Sequence, residues 1–410
     1  MKRGGFTKRT VRDVPLHGKT VLLRSDFNVP LSEDGQIDDD FRIRLSIPTI
    51  EYLLKQDCKV IICAHFGRPG GKVDEQYSLE VVVDQLSKLL DRRVGFVDSC
   101  VGDAVTQAVK KMRKGQVLLL ENLRFHPGEE SDDKDFAKDL ANSSSADYLV
   151  QDAFGVAHRA HASTHAVTQF LPSVAGLLLE KEFTALHHAV DTPARPMVAV
   201  LGGAKVSDKI AMIERLVSIA DTVLIGGAMA NTFLKYRGYN VGKSRVEDGL
   251  EGILRKIYDA AEKKVGRESI DDFIVLPTDI AVATDTDSGK RRTVVAVSDI
   301  APEEMILDIG TETITNYTES IAGSKTVVWS GTLGFAEHDA FAYGSARTAL
   351  ALATRPSITS VIGGGDTADF VRHWDGAGGD SFTHVSSGGS ASLDLIAGVP
   401  MPGIDSLLDA

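Results

Sequence analysis

At 410 residues, with 43% hydrophobic and 25% charged side chains, the chain has the composition of a globular protein long enough for two domains without disulfide or metal staples. A formal net charge of -12 argues against nucleic acid or an anionic membrane as the main partner, but a local arginine pocket can still hold a small anion. The three cysteines, Cys58, Cys63 and Cys100, form no CxxC, so neither a disulfide framework nor a zinc knuckle is indicated and a reducing cytoplasm is expected. The basic start (Lys2, Arg3, Lys8, Arg9) leads into no apolar run, so no signal peptide is expected, and no stretch is apolar enough to suggest a membrane span.

Short β-branched runs alternate with amphipathic stretches along the whole chain. In the first half, strands are predicted at 19–26, 59–64, 94–97, 117–120 and 147–151, and helices at 42–56 and 79–91. Cys58 and Cys63 flank or occupy one of these strands and read as core fillers. A helix over 178–190 ends at DTPARP, where proline breaks it. In the second half, strands are predicted at 197–201, 222–225, 273–276, 294–297, 326–329, 358–362 and 383–385, with helices at 206–219, 248–264, 311–321 and 339–354. Such alternation predicts an α/β protein of two doubly wound, parallel-sheet, Rossmann-like domains joined by a hinge helix. The expected boundaries are 1–177, a helix at 178–192, a second domain at 193–398, and a proline-containing tail at 399–410 that packs back on the first domain.

Ligands of open α/β sheets gather at the carboxyl ends of the strands. There the two halves differ. The first places basic residues after apolar runs: Arg24 in LLRSDFN, His65 and Arg68 in IICAHFGRP, Arg124 in VLLLENLRFH, and Arg159 in VQDAFGVAHRAH. Arginine forks hold carboxylates and phosphates. Arg42 opens a helix after an aspartate run, and Asp26 with Asn28 either engages a hydroxyl or shapes the turn before Pro30. His158, His161 and His165 have a spacing that could suit zinc, but no cysteine or carboxylate motif completes the ligand set.

The second half places glycines after its strands, in VAVLGGAK, VLIGGAMA, SVIGGGDT and HVSSGGSAS. Bare backbone and helix N-termini hold polyphosphate. Lys205 and Lys209 are four apart, which places them on one helix face. Asp366 either reaches a magnesium ion or caps the helix that starts there. Glu337 suits a ribose or is a plain surface carboxylate. Neither GxxxxGK[ST] nor GxGxxG occurs. Arginine sites and glycine sites in one chain suggest phosphoryl transfer between a nucleotide and a small acidic metabolite.

In this order, RSDFNVPL, HFGRP, ENLRFH, DAFGVAHRAH, LGGAKVSDK, GGGDT and SSGGSASLDL resemble the signature segments of the phosphoglycerate kinase family, over nearly the whole chain. The resemblance implies reversible transfer between 1,3-bisphosphoglycerate with MgADP and 3-phosphoglycerate with MgATP, in glycolysis and gluconeogenesis, by a phosphotransferase with a carboxyl acceptor. It implies phosphoglycerate binding by Asp26, Phe27, Asn28, Arg42, His65, Phe66, Gly67, Arg68, Arg124 and Arg159. It implies nucleotide binding by Gly203, Lys205, Lys209, Gly227, Glu337, Gly363, Gly364, Gly365, Asp366, Thr367, Gly388 and Gly389, with Asp366 toward Mg2+. Arg42, Lys205 and Lys209 are the expected catalytic groups. The family closes about its hinge; a cytoplasmic monomer is expected, with no nucleic-acid or membrane partner. No general base is expected, because the acceptor oxygen is already ionised.

The chain departs from the family pattern at Ser330-Gly331-Thr332, where Asn-Gly-Pro is common, and at Gly388-Gly389-Ser390, where a triple glycine is common. Ser25 stands where valine is usual and Phe66 where leucine is frequent. Two competing readings are a non-catalytic two-domain binding protein that closes on one anion, and a kinase acting on another small carboxylate. Retention of Lys205, Lys209 and Asp366 disfavours the first, and the full set of arginines disfavours the second.

Overall fold

The computed structural model describes residues 5–286 and 291–410, so Lys2 and Arg3 lie outside the described residues. Internal packing divides the chain into two units, Met1–Thr184 with Pro400–Ala410, and Ala185–Val399.

The first unit runs β1 (Thr20–Arg24), α1 (Phe41–Lys55), β2 (Lys59–Cys63), α2 (Glu80–Leu89), β3 (Val94–Val97), α3 (Asp103–Lys111), β4 (Val117–Leu120), α4 (Pro127–Glu130), α5 (Lys134–Ser144), β5 (Tyr148–Gln151) and β6 (Ser173–Ala175). Its sheet has the order β3-β4-β2-β1-β5-β6, and every pairing is parallel. Helices cover both faces of such a sheet, so the middles of its central strands are apolar runs that do not alternate. Val21, Leu22 and Leu23 of β1 are all fully buried, Val21 and Leu23 in the cluster under α1 and Leu22 in the cluster with α3 and α5. The three thiols are free and buried, and burial pushes Cys58 up to about 11 and Cys63 to about 12, so they act as core groups.

Helix α6 (Leu177–Asp191) follows, and the division between the units falls within it. Its first turn is held from the first unit. Asp152, just past β5, accepts from the amides of Leu178 at 2.9 Å and Leu179 at 3.2 Å. A carboxylate at a helix N-terminus satisfies orphan donors and suits the dipole.

The second unit continues with β7 (Met197–Leu201), α7 (Ile210–Ile219), β8 (Thr222–Ile225), α8 (Gly227–Tyr236), α9 (Glu251–Val265), α10 (Ile270–Phe273), β9 (Ile274–Val275), β10 (Asp279–Ala283), β11 (Thr293–Ala296) and β12 (Met305–Ile309). Then come α11 (Thr311–Ala322), β13 (Thr326–Ser330), α12 (Tyr343–Ala353), β14 (Thr359–Gly363), α13 (Gly365–Trp374), β15 (His384–Val385) and α14 (Ser390–Ala397). The main sheet has the order β15-β14-β13-β7-β8-β9 and is parallel. Strand order reverses between β7 and β13. The crevice at their carboxyl ends is the usual ligand position of this architecture.

One prediction needs correction here. The strand expected at 294–297 is not part of a parallel sheet. It is β11 of a separate sheet, β11-β10-β12, with antiparallel pairings. Its partners β10 and β12, and the three-residue edge strand β6, were not anticipated.

The last residues return to the first unit as the short helix α15 (Pro402–Asp405) and a terminal strand-like bridge between Lys8 and Asp409. Met401, Ile404 and Leu407 are buried there. Among the described residues no helix is long and apolar enough to cross a membrane.

Candidate functional site

In the first unit the basic residues follow β1, β2, β4 and β5, neighbouring strands of one sheet. Arg42 sits in the first turn of α1, and its Nη1 lies 2.7 Å from Asp26 Oδ2, just past β1. Burial alone would raise the Asp26 carboxyl. Arg42, His65, the Asn28 amide and Arg24 outweigh it and hold the group at about 2. Asp26 is therefore an anion that orients Arg42. The chain beside this pair must lack a side chain: a Cβ on Gly155 would lie 2.5 Å from Asp26 Oδ2.

The three following loops are stitched together. Asn28 Oδ1 accepts from the Gly67 amide at 2.8 Å, and the Gly67 carbonyl accepts from Arg124 Nη1 at 2.7 Å. Arg159 is half-buried, with its Nε 3.1 Å from His158 Nε2. His65 feels Asp26, Arg24, Arg124 and Arg42, and Arg124 feels Arg159, so these groups share one neighbourhood. Arg68 is exposed in the loop after β2.

Three candidates of this half do not face a ligand with their side chains. Arg24 and Phe27 are 0% exposed; Phe66, at 4%, is no deeper than His65 at 3% or Arg124 at 5%, but its ring is turned into the core. Both phenyl rings belong to the core cluster under α1. Arg24 is the last residue of a central strand, and it points into the fold toward Ser163 and Glu129. Phe27 and Phe66 can offer only backbone. The three histidines are engaged separately: His165 with Asp132 at 2.6 Å, His161 near Glu129 at 3.9 Å, and His158 with Arg159. Among the described residues no cluster of three His, Cys, Asp or Glu could hold a metal ion. A cavity of about 800 Å³ adjoins Asn28 and Gly67, but Glu33, Glu75 and Glu80 line it. That lining repels a phosphorylated acid, so the arginine surface is the better seat for an anion.

In the second unit the loops after β7 and β13 are pressed together at the reversal of strand order. The Gly202 amide donates to the Ser330 carbonyl at 2.9 Å and the Gly203 amide to the Thr332 carbonyl at 2.8 Å. The Gly227 amide donates to the Leu333 carbonyl at 2.9 Å. Gly331 has φ 97°, and a Cβ there would lie 2.0 Å from the Gly202 carbonyl oxygen. Buried Trp329 fixes this turn by donating Nε1–H to the Gly331 carbonyl at 2.8 Å. The amides of Gly203 and Gly227 are thus spent on loop packing. What these glycines offer a nucleotide is close approach of the chain.

Lys205 and Lys209 do not share a helix face, contrary to the expectation from their spacing. Lys205 is exposed in the coil before a single 3₁₀ turn, Ser207–Lys209, and α7 begins only at Ile210. Lys209 donates to the Gly202 carbonyl at 2.9 Å. Burial lowers its ammonium to about 8, against the opposing pull of Asp366 and Asp208.

Asp366 is not the cap of α13. Gly364, with φ 90°, holds that position, and Asp366 is exposed in the first turn. Thr367 Oγ1 accepts from the Gly331 amide at 2.6 Å, tying α13 to the β13 loop. Ser392 Oγ accepts from the Gly364 amide at 3.2 Å and donates to the Gly389 carbonyl at 2.6 Å, which joins the GGGDT and SSGG segments. Cβ atoms on Gly365 and Gly389 would meet nothing within 4 Å, so both face open space. Gly363 closes β14, and the Gly388 amide donates to Ser386 Oγ. Thr332, Glu337 and Asp366 line one cavity of about 630 Å³, with Tyr343, Phe370 and Trp374 across it.

Sequence reasoning missed several supports. Gly155 makes room for the Asp26–Arg42 pair, and only its place inside DAFGVAH hints at that. Glu247 accepts from the Val206 amide, the Ser207 amide and the Ser207 hydroxyl, and so shapes the loop that carries Lys205. Nothing local to RVEDGL announces this contact. Ser25 and Ser330, two of the departures from the family pattern, are fully buried, and their hydroxyls make no hydrogen bond.

An arginine cradle at the strand ends of one α/β unit, and a lysine, glycine and carboxylate cradle at those of another, define a two-unit phosphoryl-transfer protein. The chain matches the family model for phosphoglycerate kinase over residues 11–399. It is 48% identical over 404 residues to a phosphoglycerate kinase of Pelotomaculum thermopropionicum, covering 98% of this chain and 100% of that one. It is 46% identical over 404 residues to one of Moorella thermoacetica, with the same coverage. Among solved structures, phosphoglycerate kinase from Coxiella burnetii superposes with a TM-score of 0.85 at 35% identity, covering 97% of this chain and 98% of that one. The enzyme from Pyrococcus horikoshii superposes with a TM-score of 0.81 at 32% identity and the same coverage. The chain belongs to the phosphoglycerate kinase family. Its activity is the glycolytic transfer of a phosphoryl group between ATP or ADP and phosphoglycerate.

Proposed function

We propose that the first unit is the phosphoglycerate domain and the second the nucleotide domain. Asp26, Asn28, Arg42, His65, Arg68, Arg124 and Arg159 hold phosphoglycerate. Lys205, Lys209, Glu337, the 363–367 loop and Gly388–Gly389 hold the nucleotide, with Gly203 and Gly227 shaping the floor. The observation that carries this reading is the Asp26–Arg42 pair at the end of a central strand, electrostatically tied to His65 and Arg24. An anchored guanidinium stabilises developing charge at little reorganisation cost.

Arg42, Lys205 and Lys209 stabilise the transferring phosphoryl group. The acceptor carboxylate is already ionised, so the protein has only to align and neutralise. Transfer requires acceptor oxygen and phosphorus in line. Asp366 fits a hard cation as one exposed carboxylate on a cavity shared with Glu337. Mg2+, bound with ATP or ADP, neutralises phosphate charge. The enzyme works as a cytoplasmic monomer, its buried thiols reduced.

The half-site assignment is tested by splitting the Michaelis constants. Arg68→Met is expected to raise KM for 3-phosphoglycerate about tenfold and to leave KM for MgATP unchanged. Asp366→Ala is expected to do the reverse and to shift the magnesium dependence. Equal effects of either variant on both substrates would refute the assignment.

A further inference from the structure

We propose that Arg24 is a positioning residue that fixes His65 as a neutral ring protonated on Nε2, so that His65 meets phosphoglycerate as a hydrogen-bond donor and not as a cation. This rests on the reading of the arginine cradle as the phosphoglycerate site.

Arg24 cannot touch a ligand, because it is 0% exposed. Its guanidinium is committed inside the fold. Nε donates to Ser163 Oγ at 2.8 Å and Nη1 donates to the Ser25 carbonyl at 2.6 Å. Glu129 Oε1 lies 3.8 Å from Nη2 and balances the charge. Glu129 is itself locked, accepting from the Ser163 hydroxyl at 2.6 Å and the Ser163 amide at 3.0 Å. The remaining face of the fork meets His65: Nη2 is 3.4 Å from His65 Nδ1.

A guanidinium has only donors and does not deprotonate in proteins. A ring nitrogen facing it must present its lone pair, so in the neutral ring the proton sits on Nε2. An imidazolium would set Nδ1–H against a cation. The surrounding charge agrees. Burial disfavours the charged ring most, Arg24, Arg124 and Arg42 add to it, and only Asp26 pulls the other way, leaving His65 well below its ordinary value. The arginines neutralise the substrate, and His65 adds a directional donor whose strength does not change near neutral pH.

The test is a long-range proton–nitrogen NMR spectrum of the full chain labelled in its histidines, from about pH 5 to about pH 8. His65 is identified by the signals lost in His65→Gln. The expected result is a bare Nδ1 and a protonated Nε2 throughout. A protonated Nδ1, alone or in an imidazolium, anywhere in that range overturns the proposal. Arg24→Lys keeps the charge but cannot fork. It is expected to mix the tautomers and raise KM for 3-phosphoglycerate about tenfold, with a smaller change in kcat. A wild-type tautomer pattern in that variant also overturns the proposal; if the variant does not fold, the wild-type spectrum decides alone. Should the tautomer be as expected while saturating 3-phosphoglycerate leaves the Nε2 signal unmoved, the phosphoglycerate reading of the cradle falls and the tautomer assignment survives.

Discussion

At the residue scale, burial weakens the charged form of Lys209. Desolvation draws its ammonium down to about 8, and its hydrogen bond to Gly202 aims it at the β7 loop. Nucleotide phosphates would stabilise the charged form, so binding takes up a proton once the free side chain has lost one. KM for MgATP is therefore expected to be flat below about pH 8 and to rise above it, by up to about tenfold per pH unit. Lys209→Gln is expected to remove that inflection, and an inflection that persists in the variant would assign it to another group. The residue scale is also where the sequence misled. Arg24 and Arg68 look alike as arginines that follow apolar runs. What separates them is depth, and the partner that buries Arg24, Ser163, is 139 residues away. Phe27 and Phe66 lie inside site motifs and in the core because both follow shortly after the ends of central strands. Helix periodicity does not apply to Lys205 and Lys209, because the α-helix begins only at Ile210.

At the element scale, the start of α6 rests on one buried carboxylate. Burial raises Asp152 from 3.8 to about 6, against hydrogen bonds from Thr49 and the amides of Leu179 and Leu178. Between those two values the folded state holds the proton more tightly than the unfolded chain. Stability from this group is full below about pH 4 and is lost as pH rises through about 6, on the order of 3 kcal/mol in all. Asp152→Asn keeps an oxygen for the same two amides and has no charge to bury. Its stability relative to wild type, from denaturant unfolding, is expected to climb between about pH 4 and about pH 6 and then level off. Parallel profiles would show that Asp152 does not titrate in that window. Element legibility followed burial. Central strands such as Met197–Leu201, apolar throughout, and Thr222–Ile225, apolar after its first residue, are legible to the residue. The edge strand Ser173–Ala175 is too short to carry a pattern. The antiparallel sheet was missed because strand direction is set by tertiary pairing, which β-branched composition does not encode.

At the scale of the whole molecule, the first unit is built from both ends of the chain. Leu408 accepts from the Arg9 amide at 2.7 Å, and Asp409 pairs with Lys8 at 2.7 Å. The Gly403 amide donates to the Ala157 carbonyl at 2.9 Å, beside the loop that carries Arg159. Met401, Ile404 and Leu407 are each 3% exposed. Burying side chains of this size contributes roughly 1.5–3 kcal/mol apiece. Removal of residues 400–410 is expected to cost the Met1–Thr184 unit several kcal/mol and to leave Ala185–Val399 protected in hydrogen exchange. Uniform loss over both units, or no loss in the first, would contradict this. The contrast between arginine and glycine strand ends was legible because both chemistries follow apolar runs in the chain. The supports behind them, Glu129, Glu247 and Gly155, join segments distant in sequence and emerge only on folding.

Arg42, anchored by Asp26 at 2.7 Å, is proposed to stabilise the transferring phosphoryl group. The direct measurement is turnover with 3-phosphoglycerate and MgATP, coupled to NADH loss, in wild type and Arg42→Ala. Wild-type turnover is expected to need both substrates and magnesium. Arg42→Ala is expected to lower it on the order of 100-fold or more with unchanged thermal unfolding. Near-normal turnover by folded Arg42→Ala would contradict this role.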